Sequence, residues 1–75
     1  MEYQKVRAGS VYLFNPNLFD TLMPEHYTAV PGQSVRVVNL PGAPKCNTMG
    51  QCHIEDADTG DFLGMCAVNS LEKVY

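Results

Sequence analysis

From Gln51 to Val68 the chain alternates, turns once and alternates again, and few folds accept that pattern. Gln51 to Glu55 alternates polar and apolar residues, as does Phe62 to Val68. Between them lies Asp56-Ala57-Asp58-Thr59-Gly60-Asp61, a turn-forming cluster. The pattern predicts a β-hairpin. A three-residue loop, Asp58-Thr59-Gly60, suits a type I turn with Gly60 in the left-handed conformation, which only Gly enters at little cost. That register sets Ile54 opposite Gly64 and Cys52 opposite Cys66. Side chains alternate faces along a strand. Cys52, Ile54, Phe62 and Cys66 are therefore expected on one face, the core. His53, Leu63, Met65 and Ala67 are expected on the other. A one-residue slip would exchange the faces.

The residues after the hairpin add a family resemblance. Gly64-Met65-Cys66-Ala67-Val68-Asn69-Ser70-Leu71-Glu72 resembles the closing segment of Src-homology-3 domains. There a Gly, an apolar strand, one helical turn containing Asn, an apolar residue and often Glu lead into the last strand. Gly64, Asn69, Leu71 and Glu72 fall in matching places. Gly32-Gln33-Ser34-Val35-Arg36-Val37-Val38 looks like the strand that follows the first long loop of such barrels. The resemblance covers residues 30–75. It implies an all-β fold: a small Src-homology-3-like barrel of about five antiparallel strands, with one short helical segment in the first long loop. Peptide-binding members line a groove with aromatic residues, which holds a polyproline helix. This chain has no Trp, and Ala67 and Ser70 stand where Pro and Tyr would be. Proline-rich peptide recognition is therefore not carried over.

Upstream, Ser10 to Phe14 is a strand candidate rich in β-branched and aromatic residues. Asn15-Pro16-Asn17 ends it. Leu18, Phe19, Leu22 and Met23 have the spacing of one or two helical turns, with Asn17 as N-cap and Asp20 near the positive helix end. Pro24 stops them, and His26 to Val30 is read as a return arm. Ser34 to Leu40 is a strand with Val35 and Val37 inward and Arg36 and Val38 outward. Residues 41–49 form a long exposed loop, because Pro41 and Pro44 cannot donate to a ladder. Residues 1–8 mix charged and apolar side chains and read as a short strand or a frayed end.

Seventy-five residues suit a single domain over 1–75. So short a chain buries about 60–65% of its unfolded surface, a marginal core that a docked partner would support. Hydrophobic content of 45% argues against wholesale disorder. No stretch approaches the roughly 18 apolar residues that span a bilayer, and no signal peptide is recognised. Three cysteines at these spacings are not a secreted disulfide framework. The compartment is read as reducing, hence cytoplasmic.

The chemistry-bearing side chains fit plainer roles. Cys46, Cys52, His53 and Cys66 match no zinc spacing, and His53 points to the face opposite Cys52. The same divergence removes a Cys–His catalytic pair. Cys52 and Cys66 read as core thiols that could pair on oxidation. Glu55, Asp56, Asp58 and Asp61 lack the order of a calcium loop and suit a hairpin tip. No metal, cofactor or catalytic residue is implied. The expectation is a non-enzymatic accessory or regulatory module of a larger complex that binds another protein, with self-association as one form. Candidate contacts are Phe19, Met23, Tyr27, Val38, Leu63 and Met65. An outer apolar patch marks an interface, unless the loop 15–30 covers it as a second small core. The alternative is a nucleic-acid-binding barrel that uses Arg36 and Lys45. Net charge −3 and five scattered cations weigh against it.

Overall fold

The computed structural model describes residues 3–47 and 50–74. Met1, Glu2, Thr48, Met49 and Tyr75, which belong to the expected N-terminal segment, the 41–49 loop and the last strand, lie outside the described residues.

Five antiparallel strands form one sheet: β1 (Val11–Phe14), β2 (Ser34–Val38), β3 (Gln51–Asp56), β4 (Phe62–Ala67) and β5 (Leu71–Lys73). Their order across the sheet is β4-β3-β2-β1-β5. The only α-helix among the described residues is α1 (Leu18–Leu22), within the first long loop. The fold is thus all-β, as the alternation in the sequence demands. Among the described residues, no helix is long and apolar enough to cross a membrane.

Period-2 patterning places the core. Val35 and Val37 of β2 are fully buried, as are Ile54 of β3 and Phe14 of β1. Cys52 and Cys66 join them, with Val68 and Leu71 from the closing turn. A 3₁₀ turn, Val68–Ser70, joins β4 to β5 and contains Asn69. The N-terminal segment is not a strand. It crosses this turn, where Gln4 donates through its amide to the carbonyls of Val68 and Leu71, and its backbone N–H reaches Asn69 Oδ1 at 2.9 Å. Further along, Val6 is clamped by Asn47, whose Oδ1 accepts from Val6 N and whose Nδ2 donates to Val6 O, each at 2.8 Å. Those two bonds copy a strand pairing with one side chain, and they fix the end of the long loop.

The hairpin register is as expected near its open end: Cys52 faces Cys66 and Ile54 faces Gly64. It then shifts, and Glu55 faces Phe62. Leu63 is the extra residue of a β-bulge. The bulge corrects two assignments, and packing by α1 corrects a third. Phe62 is 55% exposed rather than in the core. Leu63 turns inward and packs on the core instead of facing out. Ala67 keeps its outward register but is buried, because α1 lies against β4. The tip loop is four residues, 57–60, rather than three: Asp56 N donates to Asp61 O and Gly60 N to Asp56 O. Gly60 keeps the left-handed φ of 80°.

Beyond α1, the expected return strand over 26–30 is largely absent. A 3₁₀ turn, Pro24–His26, leads to one bridge, Tyr27 with Gly64, beside a bond from Thr28 N to Leu63 O of 2.8 Å. This segment covers the outer edge of β4 next to the bulge.

Candidate functional site

Helix α1 is capped as its sequence suggests, with Asn17 Oδ1 accepting from Asp20 N at 3.0 Å. Its faces are reversed relative to an ordinary surface helix, which turns apolar residues inward. Asp20 is 1% exposed, whereas Leu18, Phe19 and Leu22 are 76%, 46% and 69% exposed. Leu18 and Leu22 are one turn apart and share a face.

The reason lies in the closing turn. Ala67 N donates to Asp20 Oδ2 at 3.0 Å and to Oδ1 at 3.3 Å, and the Ser70 hydroxyl also donates to Oδ2. Ser70 Oγ in turn accepts from Asn17 N at 2.9 Å. A buried carboxylate held by several donors is sterically and electrostatically fixed. Asp20 therefore sets the rotation of α1, and the leucines are left to face water. Phe19 continues the apolar surface over a cavity of about 300 Å³ that Tyr3, Gly50 and Ala67 also line.

The other candidate contacts divide. Val38, His53 and Met65 lie directly opposite one another across β2, β3 and β4, pointing outward and half-buried. The loop 15–30 does not seal this rung. Phe62 extends it, its ring 6.0 Å from that of His53. Tyr27 is not a free contact: its ring meets Phe14 edge-on at 5.0 Å and its hydroxyl donates to Asp20 O at 2.8 Å. Burial, then the charge of Asp20, hold its hydroxyl above the usual phenol range. Met23 is half-buried where α1 ends, and its N–H donates to Asp20 O at 3.1 Å. Leu18 and Leu22 were not singled out as contacts from the sequence. Their i, i+4 spacing marks a helical turn but not which way it faces.

Arg36 pairs with Glu55 at 2.9 Å and donates to Ala57 O at 3.1 Å, so its charge is engaged within the sheet. Lys45 is exposed in the long loop, well separated along the chain from Arg36.

The thiols sit in the core. Cys52 and Cys66 are free, buried and 4.0 Å apart at sulfur. The hydrogen bond between them, then burial, push the Cys66 thiol far up, away from a reactive thiolate. Among the described residues, no three His, Cys, Asp or Glu side chains are grouped as metal ligands.

The chain matches no protein-family model, and neither a curated protein nor a solved structure matches it.

Proposed function

We propose that this chain is a non-enzymatic module that binds another protein within a larger cytoplasmic complex. The observation that carries the reading is the reversed helix. Three apolar side chains of α1 face water while its acid is buried. Surface apolar groups gathered on one short element lose solvation cost when a partner covers them, at about 25 cal/mol per Å². Contiguous patches of this kind mark interfaces. Asp20 fixes the helix before any partner arrives, so little ordering cost is left for association.

The architecture is read as an Src-homology-3-like barrel. The resemblance in residues 30–75 is supported by the strand order and by the one-turn 3₁₀ corner, with Asn69 in it, ahead of β5. Such a scaffold carries many unrelated functions, so the site and not the fold supports the binding reading.

The test is affinity purification of the tagged chain from nuclease-treated host extract, in parallel with Leu18→Gln and Leu22→Gln. A stoichiometric protein recovered with the wild type and lost with both variants supports the proposal. Recovery unchanged by either variant, or recovery only of nucleic acid when nuclease is omitted, overturns it.

A further inference from the structure

A second concavity lies on the outer face of the sheet and adjoins the cavity beneath Phe19 at Gln51, which lines both. Ala43, Pro44 and Lys45 of the long loop form its lip, and Gln51, His53 and Met65 of β3 and β4 form its wall. Its volume is about 150 Å³, and an apolar cavity of about that size accommodates a benzene-sized group. β3 is paired on both sides, the edge of β4 is met by the Tyr27–Gly64 bridge and by the bond from Ala67 N to Asp20, and Pro44 has no N–H to offer. Recognition at this place must therefore run through an inserted side chain rather than strand addition.

The charges around the cavity are one-sided. Lys45 is exposed at the lip, and among the described residues no acid lines the cavity. The acids of this hairpin, Glu55, Asp56, Asp58 and Asp61, lie toward the opposite end, around its tip. Glu55 is already paired with Arg36. In a chain of net charge −3, the one Lys, Arg, Asp or Glu among the cavity's described lining residues is thus a cation, Lys45. The rings of His53 and Phe62 continue from the cavity as an apolar strip along which an extended segment can lie.

We infer that this cavity takes one branched or aromatic side chain from an acidic peptide segment of a partner, with Lys45 facing the segment's carboxylates. The inference deepens the protein-binding reading, and apart from Gln51 its lining residues differ from those around α1, so each can fail alone.

The probe is a set of five-residue blocked peptides with a central Leu flanked by Glu, compared with analogues carrying a central Ala or Lys flanks. Amide chemical shifts of the full chain are followed at about 50 mM and about 500 mM salt, where screening differs strongly. The acidic Leu peptide should perturb residues 43–45, 51, 53 and 65. The two analogues should not. Lys45→Glu should weaken binding about fivefold, the range of one exposed ion pair. Ala43→Leu, which fills the cavity from its own lip, should abolish binding with the melting temperature retained. Leu22→Gln should leave the peptide bound as tightly as before. The inference falls if the acidic Leu peptide gives no perturbation, or if the Lys-flanked analogue binds equally well. It falls equally if a short oligodeoxynucleotide perturbs the same residues as strongly, or if Leu22→Gln removes peptide binding. Loss of the peptide result alone leaves the α1 interface standing.

Discussion

Ala67 donates its backbone N–H to both carboxylate oxygens of Asp20, at 3.0 and 3.3 Å, across 47 residues of chain. That contact binds the first long loop to the end of β4. It also explains why a helix with three apolar residues turns them outward. The acid satisfies a buried N–H and the Ser70 hydroxyl, and no apolar residue could do both.

Asp20→Ala should therefore cost about 3 kcal/mol, since it leaves Ala67 N and Ser70 Oγ buried without their acceptor. Asp20→Asn keeps one oxygen, which in the place of Oδ2 accepts from both Ala67 N and the Ser70 hydroxyl, so it should cost only about 1 kcal/mol. Urea denaturation of the three proteins checks the order. Equal losses in both variants would show that the geometry at Ala67 is not what matters.

Gly64 separates two effects that glycine substitutions usually mix. Its φ is 107°, and a Cβ there would collide with His26 O and meet Tyr27 Cα at 2.9 Å. Gly42 has a φ of 76° with nothing within 4 Å. Gly42→Ala should cost about 1 kcal/mol from backbone strain alone. Gly64→Ala should cost about 3 kcal/mol or more, because strain adds to a clash with rigid backbone. Thermal melts of the two variants side by side decide it. Similar losses would mean that the 26–27 segment moves aside and does not seal the edge of β4.

Strand content was legible because alternation is local. Val35 and Val37 announce an inward face, and the expected Cys52–Cys66 pairing is met because the longer tip loop and the bulge at Leu63 offset each other. The site was less legible. The bulge at Leu63 has one local sign, Gly64 inside the strand with a φ of 107°, but the bridge from Tyr27 to Gly64, 37 positions apart, has none. The same holds for α1. Its cap at Asn17 and its length could be read from neighbouring residues. Its rotation could not, because Ala67 and Ser70 set it from the other end of the chain. Local patterns give period and caps, while long-range hydrogen bonds choose which face looks out.

Asp56 ties the hairpin tip to the strands. Thr59 N donates to its Oδ1 at 2.9 Å, Gln33 Nε2 to its Oδ2 at 2.7 Å, and Asp58 N to its Oδ1 at 2.8 Å. These bonds, with Thr59 first and Gln33 next, hold its carboxyl below the usual carboxylate range. A folded value below the unfolded one stabilises the fold above the ordinary carboxylate pKa. That contribution is lost as pH falls through the folded value. Wild type should therefore lose more stability than Asp56→Asn between about pH 5 and about pH 2. Urea midpoints across that range give the comparison, and parallel curves would show that the tip carries no pH-linked stability.

Leu63 and Phe62 test the bulge itself. In a regular hairpin Phe62 would be buried and Leu63 would face solvent. In the shifted register Leu63 packs on the core and Phe62 is exposed. Leu63→Asp should then destabilise the protein by about 3 kcal/mol, the effect of placing a charge against apolar neighbours. Phe62→Thr should stay within about 0.5 kcal/mol, as exposed positions usually do. A regular register predicts the reverse order, so two melting curves distinguish the arrangements. The result also bears on where a partner sits. If Leu63→Asp left stability intact, Leu63 would rejoin Val38 and Met65 on one outer apolar surface, and the cavity beside Lys45 would be only a part of it.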